Sequence, residues 1–365
     1  MSCPHTAGLA ALVLKAKGKA YAKNVRSLLQ TTSTTVKETT AETSRKNTLA
    51  QVGAGQANIF NALTYETTLT PAELLLNDTA NWNGLHTIWI KNTGKKTKTY
   101  TIKHIPAGTA YTFPEGSLVN EPGRLELDDT ALSVSLSLAK AIVLPGISLP
   151  IIVSVAVPKT AAKARVPIYS GHIEVATAGE ILKASYVGAG TDLKTAPVID
   201  NTGEFLGVPM PVILDAAGEI QTEPTSYTFV GEDYPVFVWR QVLGSARLTV
   251  DLVTATSTVK PNIKRGVVGD WIGNLIGGWF PGSKAGTYGK VPILGNVFEY
   301  TYLSRNDLIE YPTFSEDIPA AVFSNGTAIA PGSYKFLARF LRIGGNPANQ
   351  DHYETWLSPV INVAA

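Results

Sequence analysis

Cysteine is almost missing from this chain. Cys3 is the single one in 365 residues, so no disulfide can form within the chain and a small stapled fold is excluded. Low cysteine use suits a cytosolic protein, and equally a large secreted one that relies on core burial. A dominant charge is missing too. The 31 Lys and Arg against 29 Asp and Glu leave a formal net charge of +2, too little to draw the chain onto nucleic acid or an anionic membrane, and no nucleic-acid partner is expected. Long hydrophobic runs are lacking. The longest uncharged stretch, Ala141 to Val157, is interrupted by Pro145, Gly146 and Pro150 and reads as two strands and a turn, so no transmembrane segment is expected. No basic region precedes an apolar run at the N-terminus, and no signal peptide is read there. Neither a His-Glu-x-x-His motif nor a Cys and His cluster occurs, and there is no Gly-x-Ser-x-Gly elbow. No metal, cofactor or complete hydrolase triad is therefore expected.

What is present is a globular composition, with 44% apolar and 16% charged residues. The length implies two or three domains. Helical patterns are confined to residues 1 to about 64. Pro4 stands at a first helical position, the run to Lys17 is apolar nearly all round, and Gly18 suits its stop. Further helices are read at Lys23–Leu29 and Gln56–Leu63. An all-apolar helix belongs inside a larger domain. These three pieces are too short to cover one another, and the first calls for a sheet the chain does not supply. The threonine-rich stretch Thr31–Asn47 reads as a surface loop.

From about residue 68 the period becomes two. Leu132, Val134, Leu136 and Leu138 alternate with serines, and Ile151, Val153, Val155 and Val157 share one face. Leu85–Ile90 and Thr99–Ile105 flank a turn around Asn92-Thr93-Gly94, and Ile168–Ala176 and Glu180–Val187 flank Thr177-Ala178-Gly179. The same grammar returns after residue 195. Phe237 and Trp239 alternate with valines, Leu248, Val250 and Leu252 share a face, as do Phe298, Tyr300 and Tyr302, and strands are read at Ser333–Ile343 and Trp356–Val363. Many short alternating strands with frequent turns point to two β-sandwiches of immunoglobulin or fibronectin type III character.

The opening residues, Met1-Ser2-Cys3-Pro4-His5-Thr6-Ala7-Gly8, carry the most specific signal. They resemble the downstream half of the serine motif of subtilisin-like proteases, Gly-Thr-Ser-Met-(Ala or Ser)-x-Pro-His-(Val or Thr)-(Ala or Ser)-Gly. Such a motif puts the nucleophile at a helix N-terminus, where free N–H groups and the helix dipole favour negative charge. Ala7 and Gly8 would let that helix pack closely. Gln51-Val52-Gly53-Ala54-Gly55-Gln56-Ala57-Asn58-Ile59 is similar to the segment near the end of subtilase catalytic domains. Residues 69–190 resemble the fibronectin-like domain that follows it in large secreted fungal and bacterial subtilases. Lys91-Asn92-Thr93-Gly94 before Tyr100 and Val166-Pro167-Ile168-Tyr169-Ser170-Gly171 carry that likeness, while Ser185 stands where the family usually has proline.

The resemblance implies the C-terminal part of a secreted subtilisin-like endopeptidase, beginning just after the catalytic serine, whose complete form cleaves proteins or peptides outside the cell or at its surface. This chain would hold no catalytic residue of the triad. Met1, Ser2, Cys3, Pro4, His5 and Gly8 would be a motif remnant, with His5 part of the helix start. The expected fold is mainly β. Residues 1–67 would form the helical remnant of an α/β catalytic domain, 68–194 a fibronectin type III-like sandwich, and 195–365 a second sandwich. The alternative is a non-catalytic binding or spacer module at the cell surface. Asn77 and Asn325 head glycosylation triplets. His86, His104, His172 and His352 are read as surface or packing residues, and the lysines of 15–23 with Lys95, Lys96 and Lys98 as solvated faces. The aromatic, glycine-rich Trp271–Phe280 is read as core of the last domain or a protruding contact loop.

Overall fold

Alternation of apolar and polar residues governs most of the chain, and the architecture that follows is mainly β, with the α-helices of the described residues confined to the first 64. The computed structural model describes residues 2–39, 41, 45–119, 125–157, 163–259, 286–307 and 312–365. Trp271–Phe280 and Met1 lie outside them. The chain divides into two units, Met1–Thr112 with Leu125–Asp192, and Phe113–Arg124 with Leu193–Ala365.

The first unit begins with α1 (Ser2–Lys17), a 3-10 turn (Lys19–Asn24), α2 (Val25–Thr31), α3 (Leu49–Val52) and α4 (Ile59–Thr64). Gly18 stops α1 at φ 82°, in the region that favours glycine, and its N–H donates to the Leu14 carbonyl at 2.9 Å. Asn58 caps α4 by accepting from the Asn61 N–H at 3.1 Å. Leu9, Val13, Val25, Leu28, Leu29 and Ala62 form a small apolar cluster, so the helices do cover one another in part. From α1, Leu9 and Val13 are buried in this cluster, and Ala10 and Leu14 pack against it half-buried. On the same helix Leu12 is 48% exposed, and Ala7, Gly8 and Ala11 are exposed with it. The expectation of a poorly covered first helix therefore holds for the side that carries Ala7, Gly8, Ala11 and Leu12.

The strands of this unit are β1 (Thr67–Thr70), β2 (Glu73–Asn77), β3 (Leu85–Asn92), β4 (Lys98–Pro106), β5 (Thr109–Tyr111), β6 (Glu126–Asp128), β7 (Ser133–Leu136), β8 (Lys140–Val143), β9 (Ser148–Ala156), β10 (Pro167–Thr177) and β11 (Glu180–Ala189). They make a four-stranded sheet in the order β1-β3-β9-β7 and a larger one in the order β2-β11-β10-β4-β8, with β5 on β10 and β6 on β5. Ile88, Ile90, Ile151 and Val153 from the first sheet meet Tyr100, Ile102, Ile173, Val175, Leu182 and Ala184 from the second in one core. The turn at Asn92 carries the chain from one sheet to the other. Asn92 is fully buried, donates to the Lys96 and Val143 carbonyls at 2.8 and 3.0 Å, and accepts from the Gly94 N–H at 3.0 Å. Leu138 lies beyond the end of β7 and is 42% exposed, so the expected run of four inward leucines and valine stops at Leu136.

The larger sheet has a second covered face. α2 lies against β11 and β1, and α3 against β10 and β11. The sheet that the helical segment needed is therefore partly present, although it covers α2 and α3 and leaves α1 outside. Thr31, Thr32 and Ser33 are buried, and Thr32 Oγ1 donates to the Leu28 carbonyl at 2.7 Å. The start of the expected surface loop is thus a buried helix ending.

The second unit holds β12 (Val212–Leu214), β13 (Thr225–Tyr227), β14 (Val236–Trp239), β15 (Ser245–Thr254), β16 (Gly286–Tyr288), β17 (Val291–Leu303), β18 (Phe314–Asp317), β19 (Gly332–Leu341), β20 (Tyr353–Leu357) and β21 (Ile361–Val363). A three-stranded sheet, β12-β14-β18, faces a larger one, β13-β21-β19-β15-β17-β16, with β20 also on β19. Phe237, Trp239, Leu248, Val250, Leu252, Phe336, Phe340 and Ile361 fill the core between them. The single closing strand expected over Trp356–Val363 is two strands. Both pair with β19, and the break falls at Ser358-Pro359, where proline has no N–H to give the ladder. Tyr302 also departs from expectation, standing 87% exposed at φ 58° rather than in line with Phe298.

Candidate functional site

Of the residues read as a motif remnant, Ser2, Cys3, Pro4, His5 and Gly8 lie on the first turns of α1. Cys3, Pro4, His5 and Gly8 are all exposed there. A Cβ added at Gly8 would meet nothing within 4 Å, so the close packing expected of Ala7 and Gly8 has no counterpart among the described residues. No group of three or more His, Cys, Asp or Glu side chains able to hold a metal occurs among the described residues.

A serine and a histidine do meet elsewhere. Ser185 Oγ and His172 Nδ1 lie 3.2 Å apart on the paired strands β11 and β10. Both are buried, at 8% and 1% exposure, beneath the side of the sheet that carries α2 and α3. Burial, helped by the charges of Lys183 and Lys46, holds the His172 imidazole down to about 3, so it is neutral at physiological pH. A nucleophile and base also need an orienting acid and access to substrate. No carboxylate is among the groups acting on His172, and the pair is shut away from solvent. Ser185 and His172 therefore form a structural contact. The departure from proline at 185 was visible in the sequence, but its partner could not be read because the pairing runs across the hairpin.

The same seam holds other polar groups. Lys183 Nζ donates to Thr35 Oγ1 at 2.6 Å, and burial lowers this ammonium to about 8. Ser170 Oγ accepts from the Leu49 N–H at 3.0 Å and so ties α3 to β10. At the opposite end of β11, Glu180 accepts from Lys98 Nζ and the Glu66 N–H, both at 2.8 Å, and from Thr67 Oγ1. Lys98 is thus part of an ion pair with Glu180 and is not the freely solvated lysine expected. Burial acts against its charge, but Glu180 outweighs burial and raises it above the ordinary lysine value. Lys95 and Lys96 are exposed as read.

The outer face of the four-stranded sheet is the most open feature of this unit. Its side chains line up in rows across the strands. Thr70, Trp89 and Pro150 form one row, Thr87 and Ile152 the next, and Leu85, Ser154 and Ser135 a third. Trp89 is 46% exposed, Ile152 50% and Leu85 69%. Ser133 and Ser137 extend the hydroxyl border, and Ser137 Oγ accepts from the Ile152 N–H at 3.0 Å. Among the outward positions of these four strands only Lys91, at one end, is ionisable.

Part of this unit resembles a known domain family in sequence. Residues 74–185 match the sequence model of an Fn3-like domain. The match runs from β2 into β11, and it takes in β3, β7 and β9 of the four-stranded sheet while β1 lies before it. No curated protein sequence matches the chain. Among solved structures, the PapD-like domain 7 of human CEP192 is similar at 11% identity over 34% of this chain and 84% of that one, with a TM-score of 0.25. The CupB2 chaperone of Pseudomonas aeruginosa is similar at 9% identity over 79% of this chain and 98% of that one, with a TM-score of 0.23. At such scores neither likeness bears on function.

The two glycosylation candidates, Asn77 and Asn325, are exposed. Asn77 ends β2 at φ 61°, its Nδ2 donating to the Asn81 carbonyl at 3.2 Å. Asn325 sits in the turn closed by Val322 and Ala328 and accepts from the Thr327 N–H at 3.0 Å. In the second unit a few ionisable groups are buried in the core. Glu354 is fully buried, accepts from the Val198 and Ile199 N–H groups at 2.9 Å each, and pairs with Arg342 at 3.5 Å. Asp251 accepts from Arg339 Nε at 3.0 Å and from Asn296 Nδ2 at 3.1 Å. No helix among the described residues is long and apolar enough to cross a membrane.

Proposed function

We propose that this chain works as a non-catalytic β-sandwich module, for binding or spacing, and that it is the accessory region of a secreted subtilisin-like serine endopeptidase. The Fn3-like match over residues 74–185 carries the first part of that reading, because it falls on a sandwich whose buried Ser and His make no triad. The second part rests on the likeness of Met1–Gly8 to the subtilase serine motif, with the Fn3-like match further along the chain at residues 74–185, as in large secreted subtilases. In this reading the protein or peptide substrates belong to the complete enzyme, and the chain acts outside the cell or at its surface.

Two measurements test it. The full chain should take up no fluorophosphonate probe and release no peptides from casein. Labelling that disappears in Ser185→Ala would overturn the module reading. For the protease origin, the coding DNA upstream of Met1 should carry an open frame ending in Gly-Thr-Ser, and an in-frame stop there without such a frame would overturn it.

A further inference from the structure

We propose that the outer face of the four-stranded sheet, centred on Trp89, binds a neutral glycan chain. The inference rests on the binding-module reading and names its partner class. An antiparallel sheet facing water normally alternates its core residues with charged and polar ones. Here the water-facing positions carry hydroxyls and exposed apolar groups in place of charge. Trp89 stands directly opposite Pro150 and diagonally from Ile152, so an indole, a pyrrolidine ring and an aliphatic chain form one patch.

The chemistry of that face selects its occupant. Nucleic acid or an anionic membrane surface needs Lys and Arg, and Lys91 at the margin is the one cation on the outward positions. A protein interface usually sets charged and arginine-bearing groups around its apolar centre, which this border lacks. Charge complementarity therefore favours an uncharged partner that is apolar and hydroxylated at once. A sugar ring has both characters. Its C–H face can stack on the half-exposed indole, while its hydroxyls exchange hydrogen bonds with Ser and Thr, each of which donates one and accepts two. From Trp89 to Leu85 the face extends about 13 Å along β3. That length suits a chain of rings better than a single sugar.

The test uses the full-length chain in affinity electrophoresis through gels containing a soluble β-glucan, a mannan or amylose, with tryptophan fluorescence titration as the second readout. At least one neutral polymer should retard the protein, in a manner insensitive to salt. Trp89→Ala should weaken that binding about tenfold or more while leaving the thermal midpoint unchanged, because the side chain is already half in water. Trp89→Phe should restore part of it. Retardation by none of the three polymers overturns the proposal. So does binding that Trp89→Ala leaves intact, or binding only to a sulfated polymer that salt abolishes. Concentration-dependent dimerisation, or binding to phosphatidylcholine vesicles, that is lost in Trp89→Ala would assign the face to a second copy or a lipid surface instead. Casein and fluorophosphonate assays on the same preparation separate the two readings. Turnover would sink the module itself, whereas no turnover with no glycan binding sinks only the glycan.

Discussion

His172 should make the first unit sensitive to mild acid. Its ring is 1% exposed between β10, β11 and the helical segment, and burial first, then the charges of Lys183 and Lys46, hold it down to about 3. In the unfolded chain a histidine titrates near 6.5. The unfolded state therefore takes up the proton first as pH falls. Stability is fully present above about 6.5, declines below it, and stops declining only near the folded value of about 3. The slope approaches about 1.4 kcal/mol per pH unit, so moving from pH 7.5 to 5 removes about 2 kcal/mol. For a unit of this size that loss lowers the thermal midpoint by about 4–8 °C. His104 is also lowered by burial and adds to the same trend, whereas the depressed carboxylates Asp128 and Glu180 lose their contribution at lower pH. Thermal unfolding of the wild type and His172→Gln between pH 5 and 7.5, followed by near-ultraviolet circular dichroism, separates these groups. Removing the titrating ring should flatten most of the slope. Equal slopes in the two proteins would refute the assignment of the acid sensitivity to His172.

Glu354→Ala should destabilise the second unit by about 3–5 kcal/mol in urea unfolding, because it leaves Arg342 buried without its carboxylate and frees the Val198 and Ile199 N–H groups. Gly171→Ala should cost about 1–3 kcal/mol in the first unit, since the new Cβ would lie 2.4 Å from the Tyr186 hydroxyl and displace the ring that bonds His104; an unchanged melting midpoint would contradict this. Leu12→Lys should lower light scattering on storage without moving the midpoint, because Leu12 sits on the uncovered side of α1.

Strand positions were legible because one face of each strand is buried, so the two-residue period is written into the residues themselves. Ile88 and Ile90, or Leu248, Val250 and Leu252, declare their inward face without any partner being known. Helix ends were legible for a similar reason, since Gly18 and Asn58 act on their own neighbours. The pairing of strands was not. β3 and β4 follow one another around the Asn92 turn yet lie in different sheets, and nothing local distinguishes that turn from a hairpin. Likewise Lys98 carries no mark of its bond to Glu180, 82 residues away.

The amino-acid sequence alone determined the mainly β class, the helical start, the single cysteine and the near balance of charge. Each of these depends on composition or on neighbours within one turn or strand. Only the tertiary structure decided that α2 and α3 find their sheet in the first sandwich, that Ser185 and His172 meet out of reach of solvent, and that Trp89, Pro150 and Ile152 share one open face. These depend on register between strands far apart in the chain, and register is selected by how all the buried faces fit at once.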